Sequence, residues 1–264
     1  MKISLIGYGN IAQAMTKSLT NHLNYKLQAA APSLQIGVNA DNVYTHHDNL
    51  AIINGADVII IAVKPRKVVD VLAQIKQAIL PNCLLISLAA GLSLAWLEKH
   101  SVEKQAIVRA MPNTPIAVNK GATPLIANQF VSRDQKEFST QLFQCMGMST
   151  WVTNEDNMDI FTALSGSGPA YVFLFLEAMI HAAEKLGLEE DLARAFALQT
   201  ISGAIELANA SELNTNELCK NVTSSGGTTA AAIQVLKEEK FEQIVFKAMS
   251  AAFRRSKELE LKMT

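Results

Sequence analysis

Ile3-Ser4-Leu5-Ile6-Gly7-Tyr8-Gly9-Asn10-Ile11-Ala12 is the stretch that decides the fold. Strand-like residues run straight into two glycines one position apart, and a helical pattern, Ile11–Leu23, follows at once. Glycine at 7 permits a tight turn. Glycine at 9 lets phosphates approach the backbone, and alanine at 12 lets helix lie close on strand. The first N–H groups of such a helix have no intrahelical acceptor and attract an anion. A lone G-x-G-x-x-A sequence says little. Between a strand and a helix it points to a bound dinucleotide rather than to a bare glycine turn.

Outward from this loop the pattern repeats. Lys26–Ala31, Val58–Val63, Leu84–Leu88 and Ala106–Arg109 are strand-like, with helical stretches such as Lys67–Ile79 between them. Val58-Ile59-Ile60-Ile61-Ala62-Val63 shows no polar alternation, which suits a strand buried on both faces of a parallel sheet. Alternating strands and helices predict a doubly wound α/β domain over residues 1–156. After about Asn157 strand signals stop, and residues 157–264 read as all-α: Pro169–Leu186, Asp191–Asn209, Thr228–Glu239 and Phe241–Lys262. The first of these is opened by Pro169 and closed by Gly187. It is apolar nearly all round, as a helix packed on every side should be. So few helices cannot enclose it, so a second copy of the chain is expected to cover it.

Composition narrows the setting. The 264 residues are 49% hydrophobic and 18% charged, too apolar for a disordered chain. A net charge of -1 with no basic run argues against nucleic-acid binding. Cys83, Cys145 and Cys219 lie far apart, with neither disulfide-framework nor metal spacing, which fits a reducing cytoplasm and no bound metal. The N-terminus lacks a full signal-peptide core. Ala170–Ala183 is interrupted by Glu177 and His181 and falls short of the roughly 20 apolar residues of a membrane span. It reads as a buried helix, with no membrane partner.

The second strand carries an informative gap. Dinucleotide enzymes that use NAD place an acidic residue there, on the ribose 2′-hydroxyl. Here no Asp or Glu precedes Asp41, and the strand runs into Ala31-Pro32-Ser33. A carboxylate would repel a 2′-phosphate, so its absence favours NADPH and leaves NADH open. No Arg precedes Arg66 either, so the usual phosphate clamp is also absent from this stretch.

Four further segments carry a family likeness: Ala62-Val63-Lys64-Pro65, Met111-Pro112-Asn113-Thr114-Pro115, Leu164-Ser165-Gly166-Ser167-Gly168-Pro169-Ala170-Tyr171 and Val222-Thr223-Ser224-Ser225-Gly226-Gly227-Thr228-Thr229. Together with Gly7–Ala12, in this order along the whole chain, they resemble the pyrroline-5-carboxylate reductase family. The resemblance implies an α/β fold, with an N-terminal Rossmann-like sheet followed by an all-α C-terminal dimerisation domain. It also implies NAD(P)H-dependent reduction of 1-pyrroline-5-carboxylate to L-proline, hydride passing to C5 of the protonated cyclic imine. For the cofactor it implies Gly7, Tyr8, Gly9, Asn10, Ile11 and Ala12; Ala31, Pro32 and Ser33; Asn49; Ala62, Val63, Lys64 and Pro65; Ala89, Ala90 and Gly91; and, more weakly, Asn221. For the substrate it implies Ser224, Ser225, Gly226, Gly227, Thr228 and Thr229, with Glu212 near the product. The family commonly has Pro where this chain has Ser225.

The residues support this chemistry without the likeness. Reducing a protonated imine needs a positioned hydride donor and a fixed carboxylate but no strong base. The five histidines (22, 46, 47, 100 and 181) avoid the glycine-rich motifs. Ser224–Thr229 precedes a strong helix start, Ala230-Ala231-Ala232-Ile233, whose free N–H groups could hold a carboxylate. An ordinary Ser/Thr helix cap fits the same residues. Thr229 is the candidate hydroxyl for the ring nitrogen. Arg109 reads as an ion-pair partner, and Gly168 and Pro169 as structural. Two alternatives stay open. One is a related imine or β-hydroxyacid reductase, disfavoured by the lack of Lys before Lys185 in the apolar helix. The other is a nucleotide-binding regulator without catalysis.

Overall fold

The computed structural model describes residues 1–22 and 25–261. Leu23 and Lys262, the predicted ends of two helices, lie outside the described residues. Contacts divide the chain into two compact units, Met1–Pro169 joined by the chain from Ala251 onward, and Ala170–Ser250.

In the first unit the strands are β1 (Lys2–Ile6), β2 (Lys26–Ala30), β3 (Gly37–Val38), β4 (Tyr44–His46), β5 (Val58–Ile61), β6 (Leu84–Ser87), β7 (Ala106–Ala110), β8 (Gly121–Ala127) and β9 (Gly147–Trp151). The helices are α1 (Asn10–His22), α2 (Asn49–Ile53), α3 (Val68–Ile75), α4 (Leu94–His100), α5 (Arg133–Gln144) and α6 (Asn157–Phe161). Among the described residues one sheet has the order β3-β4-β2-β1-β5-β6-β7-β8-β9. β4, β2, β1, β5, β6 and β7 run parallel, while β3 and β8 pair antiparallel to β4 and β7. Every residue of β5 is buried, as its unbroken apolar run predicts. Ile60 faces a core with Met15, Leu19 and Phe143, and Ile59 and Ile61 face another with Leu72, Ile75 and Leu97. Residues alternate across a strand, so an all-apolar strand must be covered by helices on both sides.

β8 and β9 extend the sheet beyond the strands legible in sequence. Pro124 lies in β8, where a missing N–H ordinarily argues against a strand. The ladder with β7 spans only Leu125–Ala127, so Pro124 falls just outside it, and its carbonyl accepts from Met111 N–H at 3.2 Å.

A second difference concerns Pro169. It stands in the first turn of its helix, as read, but that turn continues an earlier helical run rather than starting from coil. The helical run is 29 residues long, Asn157–Lys185, with a π-turn at Thr162–Gly166 between α6 and α7 (Gly168–Lys185). Proline cannot bond back to the carbonyl of Ser165. Asn113 Nδ2 donates to that carbonyl instead, at 2.8 Å, while Asn113 Oδ1 accepts from Ala122 N–H at 2.9 Å. The Asn113 side chain thus supplies the donor that the helix lacks.

The second unit holds most of α7, then α8 (Glu190–Ala210), α9 (Thr215–Asn221), α10 (Thr228–Glu238) and the first half of α11 (Phe241–Leu261). Asn214 and Glu217 form a capping box at the start of α9, a helix absent from the sequence reading. Contrary to the reading of α7 as a buried helix, Phe173 is 63% and Leu174 73% exposed within the single chain. Length and composition alone would let the Asn157–Lys185 run cross a membrane. The cause is the shortage of neighbours anticipated from sequence. Phe196 on α8 and Phe246 on α11 are bare as well, at 68% and 73%.

Arg109 is 4% exposed at β7, and its Nη1 meets Glu155 Oε1 at 2.8 Å. The same oxygen accepts from Leu94 N–H at 2.8 Å, at the first residue of α4. Arg109 is therefore a structural ion pair. Glu155→Gln leaves a buried guanidinium without its counter-charge and is expected to cost about 2–3 kcal/mol, below the fully buried range because Glu155 is part-exposed. Urea unfolding of both proteins measures this.

Candidate active site

The β1–α1 turn is shaped by one close approach. Gly7 has φ +93°, and a Cβ there would lie 2.7 Å from the Ala62 carbonyl oxygen and 2.8 Å from Val63 Cγ1. Gly7 N–H donates to Ala30 O, and Ala62 N–H to Ile6 O, both at 2.8 Å, so the ends of β2, β1 and β5 are held level. Gly9 differs. A Cβ there meets no protein atom within 4 Å, and its carbonyl accepts the first α1 bond, from Gln13 at 3.0 Å. Space over Gly9 and unpaired N–H groups beginning α1 are what a pyrophosphate requires. Tyr8 turns its side chain elsewhere, its hydroxyl bonded to Thr16 Oγ1 and Asn39 Nδ2. Ala12 is buried against the sheet.

A cavity of about 160 Å³ opens beside this turn, lined by Ile11, Ala62, Val63, Leu88, Met111 and Pro112. Parallel strands bring their carboxyl ends together here, where ligands of open α/β sheets bind. Ile11, Ala62 and Val63 were legible as candidates. Leu88, Met111 and Pro112 were not assigned to the cofactor, although Met111-Pro112 opens a segment the likeness had already marked. Lys64 is exposed and precedes a 3₁₀ turn, Pro65–Lys67. Ala89 is buried, with its N–H 3.4 Å from Ser87 Oγ, and Ala90 leads to Gly91 at φ +70°. Past β2, Pro32 and Ser33 are exposed in a turn closed by Leu34 N–H on Ala31 O at 3.0 Å. Asn49 begins α2, its amide donating to Gln74 Oε1 at 2.7 Å.

The substrate candidates lie in the other unit. Gly226 has φ +70°, and Gly227 N–H closes the turn on Ser224 O at 3.1 Å. Gly227 is the N-cap of α10 and no side chain caps this helix. The ordinary Ser/Thr cap is thus not formed. The N–H groups of Thr228, Thr229 and Ala230 precede the first intrahelical bond, from Ala231 to Gly227 O at 3.2 Å. Ser224, Ser225 and Thr228 are exposed and Thr229 half-buried. Their hydroxyls have no hydrogen-bond partner among the described residues. Glu212 and Asn221 are exposed near the two ends of α9. Ser165 Oγ, by contrast, is bonded to Phe161 O at 2.9 Å. Among the described residues no cluster of three or more His, Cys, Asp or Glu could hold a metal.

Known proteins match this plan from end to end. A curated pyrroline-5-carboxylate reductase of Pseudomonas aeruginosa is 38% identical, covering 98% of this chain and 96% of its own. The chain belongs to the pyrroline-5-carboxylate reductase family. A family model for pyrroline-5-carboxylate reductase dimerisation matches residues 155–259, and one for coenzyme F420-dependent NADP oxidoreductases matches residues 2–91. A crystal structure of Plasmodium falciparum pyrroline carboxylate reductase with NADP bound superposes with TM-score 0.91 at 33% identity, covering 98% of both chains. A pyrroline-5-carboxylate reductase structure from Coxiella burnetii gives 0.88 at 38% identity, covering 97% of both.

Membership accounts for the bare helices: the matched dimerisation region contains α7, α8 and most of α11. The space around Gly7 and Gly9 separates their roles. Gly7→Ala forces a Cβ into the Ala62 backbone at positive φ, and a stability loss of about 2 kcal/mol is expected. Gly9→Ala, with open space, should stay within about 0.5 kcal/mol of the parent. Denaturant midpoints of the two variants test the contrast.

Proposed function

We propose that the chain reduces 1-pyrroline-5-carboxylate to L-proline with NADPH as preferred hydride donor, the dinucleotide on Gly7–Ala12 and the substrate carboxylate on Ser224–Thr229. The reaction follows from family membership, and the full-length match at 38% identity is the observation that carries it. NADPH, when bound, supplies the hydride that C5 of the protonated imine accepts.

The remaining work falls to the chain's own groups. The N–H groups that begin α1 hold the pyrophosphate. Ala62–Pro65, Ala89–Gly91 and the cavity wall of Leu88, Met111 and Pro112 enclose the nicotinamide side. Ala31–Ser33 and Asn49 lie toward the adenosine ribose, where no acidic side chain opposes a 2′-phosphate. The N–H groups of Thr228, Thr229 and Ala230 are suited to a carboxylate because no side chain caps α10. A carboxylate bound there replaces the cap and gains from the helix dipole. The Thr229 hydroxyl bonds the ring nitrogen and relays to it the proton that keeps C5 electrophilic, taking up another from solvent. Glu212 lies near the product and Asn221 toward the cofactor. Residues 1–156 serve as the dinucleotide-binding domain. Residues 157–264 serve as the substrate and dimerisation domain, in a homo-oligomer through the apolar faces of α7, α8 and α11. Three unpaired cysteines are in keeping with a reducing cytoplasm, where we place the enzyme.

Two measurements decide the reading. Purified protein mixed with 1-pyrroline-5-carboxylate and NADPH should consume nicotinamide absorbance. No turnover with either NADPH or NADH would sink it. Thr229→Val is expected to lower kcat about tenfold or more while NADPH affinity holds, which would place the hydroxyl at the imine rather than at the cofactor.

A further inference from the structure

The end of β4 carries two stacked imidazoles. His46 and His47 have ring centroids 4.6 Å apart at an interplanar angle of 26°. β4 runs parallel to β2, with His46 opposite Ala30, and Ala31 N–H donates to His46 O at 3.2 Å. The pair therefore sits at the carboxyl end of the sheet, on the strand next to the Ala31–Ser33 turn. A ribose 2′-phosphate belongs at the end of the second strand in this fold.

That phosphate needs donors, and the turn itself offers only the Ser33 hydroxyl and backbone. No Lys or Arg occurs between Lys26 and Lys64, and Lys26 lies at the opposite, amino end of β2. Lys64, Arg66 and Lys67 follow β5, which is separated from β2 by β1. At about 4.8 Å per strand, β5 stands roughly 10 Å from β2 and β4 roughly 5 Å. On the strand directly beside that turn, the groups able to carry positive charge are His46, at its last residue, and His47, just past it.

The two rings are not equivalent. His46 Nδ1 accepts from Asp48 N–H at 2.9 Å, so its hydrogen is on Nε2 and the ring is fixed as a platform. His47 lies on that platform, exposed, with no hydrogen-bond partner among the described residues. The adjacent carboxylate, Asp48, is turned to the start of α2, where it accepts from Leu50 N–H at 3.1 Å. We propose that His47, held by its stack on His46, recognises the 2′-phosphate and gives the chain its preference for NADPH over NADH. An imidazole donates N–H to phosphate oxygens and gains full charge assistance when protonated. The inference rests on the NADPH reading above and names the side chain behind it.

Dissociation constants for NADPH and NADH, read from nicotinamide fluorescence without substrate, test it independently of turnover. His47→Ala is expected to weaken NADPH about tenfold, the worth of one charge-assisted hydrogen bond. NADH should stay within about twofold, as for a surface substitution touching no contact. His47→Arg should restore the preference. A ratio unchanged in His47→Ala, or an equal loss for both cofactors, would overturn the role of His47. If the parent protein itself binds both equally, the NADPH preference and this inference fall together. A parent that prefers NADPH beside an unaltered variant removes the inference alone. Thermal unfolding of each variant confirms that the exposed substitution leaves the fold intact.

Discussion

The Val58–Ile61 strand is buried on both faces, and this double burial sets terms for everything around it. A parallel strand cannot reach its neighbour by a hairpin, so each crossover must carry the chain over a face. Each crossover deposits an apolar helix surface or loop where the strand's alternating side chains need cover. The same rule aligns the carboxyl ends of β2, β1, β5 and β6. Gly7 sits where that alignment is tightest, under the Ala62 backbone. The cradle for a dinucleotide is thus a by-product of how the sheet must be covered.

Features resting on one short segment could be read from the sequence alone. Val58–Val63 announced a doubly covered strand, and Gly7–Ala12 announced the turn, because the physical reason lies within a few residues. Features depending on a distant partner could not. Pro169 marked the first turn of α7, but the helical run before it stayed hidden, since the carbonyl that Pro169 cannot bond is met by Asn113, more than fifty residues away. β8 was hidden because Gly121 and Pro124 weaken its local pattern and its pairing with β7 begins only at Leu125. α9 is seven residues long and short of apolar periodicity, although Asn214 and Glu217 already spelled its cap. In the site, Leu88, Met111 and Pro112 are ordinary wall residues. Only the meeting of three strand ends reveals them.

The helical unit shows the complementary case. Its sequence foretold an apolar helix that its own unit could not bury, and the structure leaves that helix bare. Read by exposure, α7 resembles a membrane segment. It also lies within the matched dimerisation region, residues 155–259. Apolar area alone does not distinguish the two solvents, lipid and protein. The polar residues Glu177 and His181, paired at 3.1 Å on the same helix, fit more readily against protein than in hydrocarbon.

The two edges of the sheet end quietly. β3 has only two residues, too few to template another strand. β9 is braced by α5, through Trp151 Nε1 on Thr140 Oγ1 at 2.8 Å and Lys136 over the Trp151 ring at 5.8 Å. Most of the large exposed apolar side chains among the described residues lie instead on helices, whose backbone groups are already satisfied along their length. Strand edges recruit further strands without limit, whereas helix faces match a finite complementary surface and can close a symmetric assembly. A chain that must display so much grease before it meets its partner keeps that grease where self-association terminates rather than propagates.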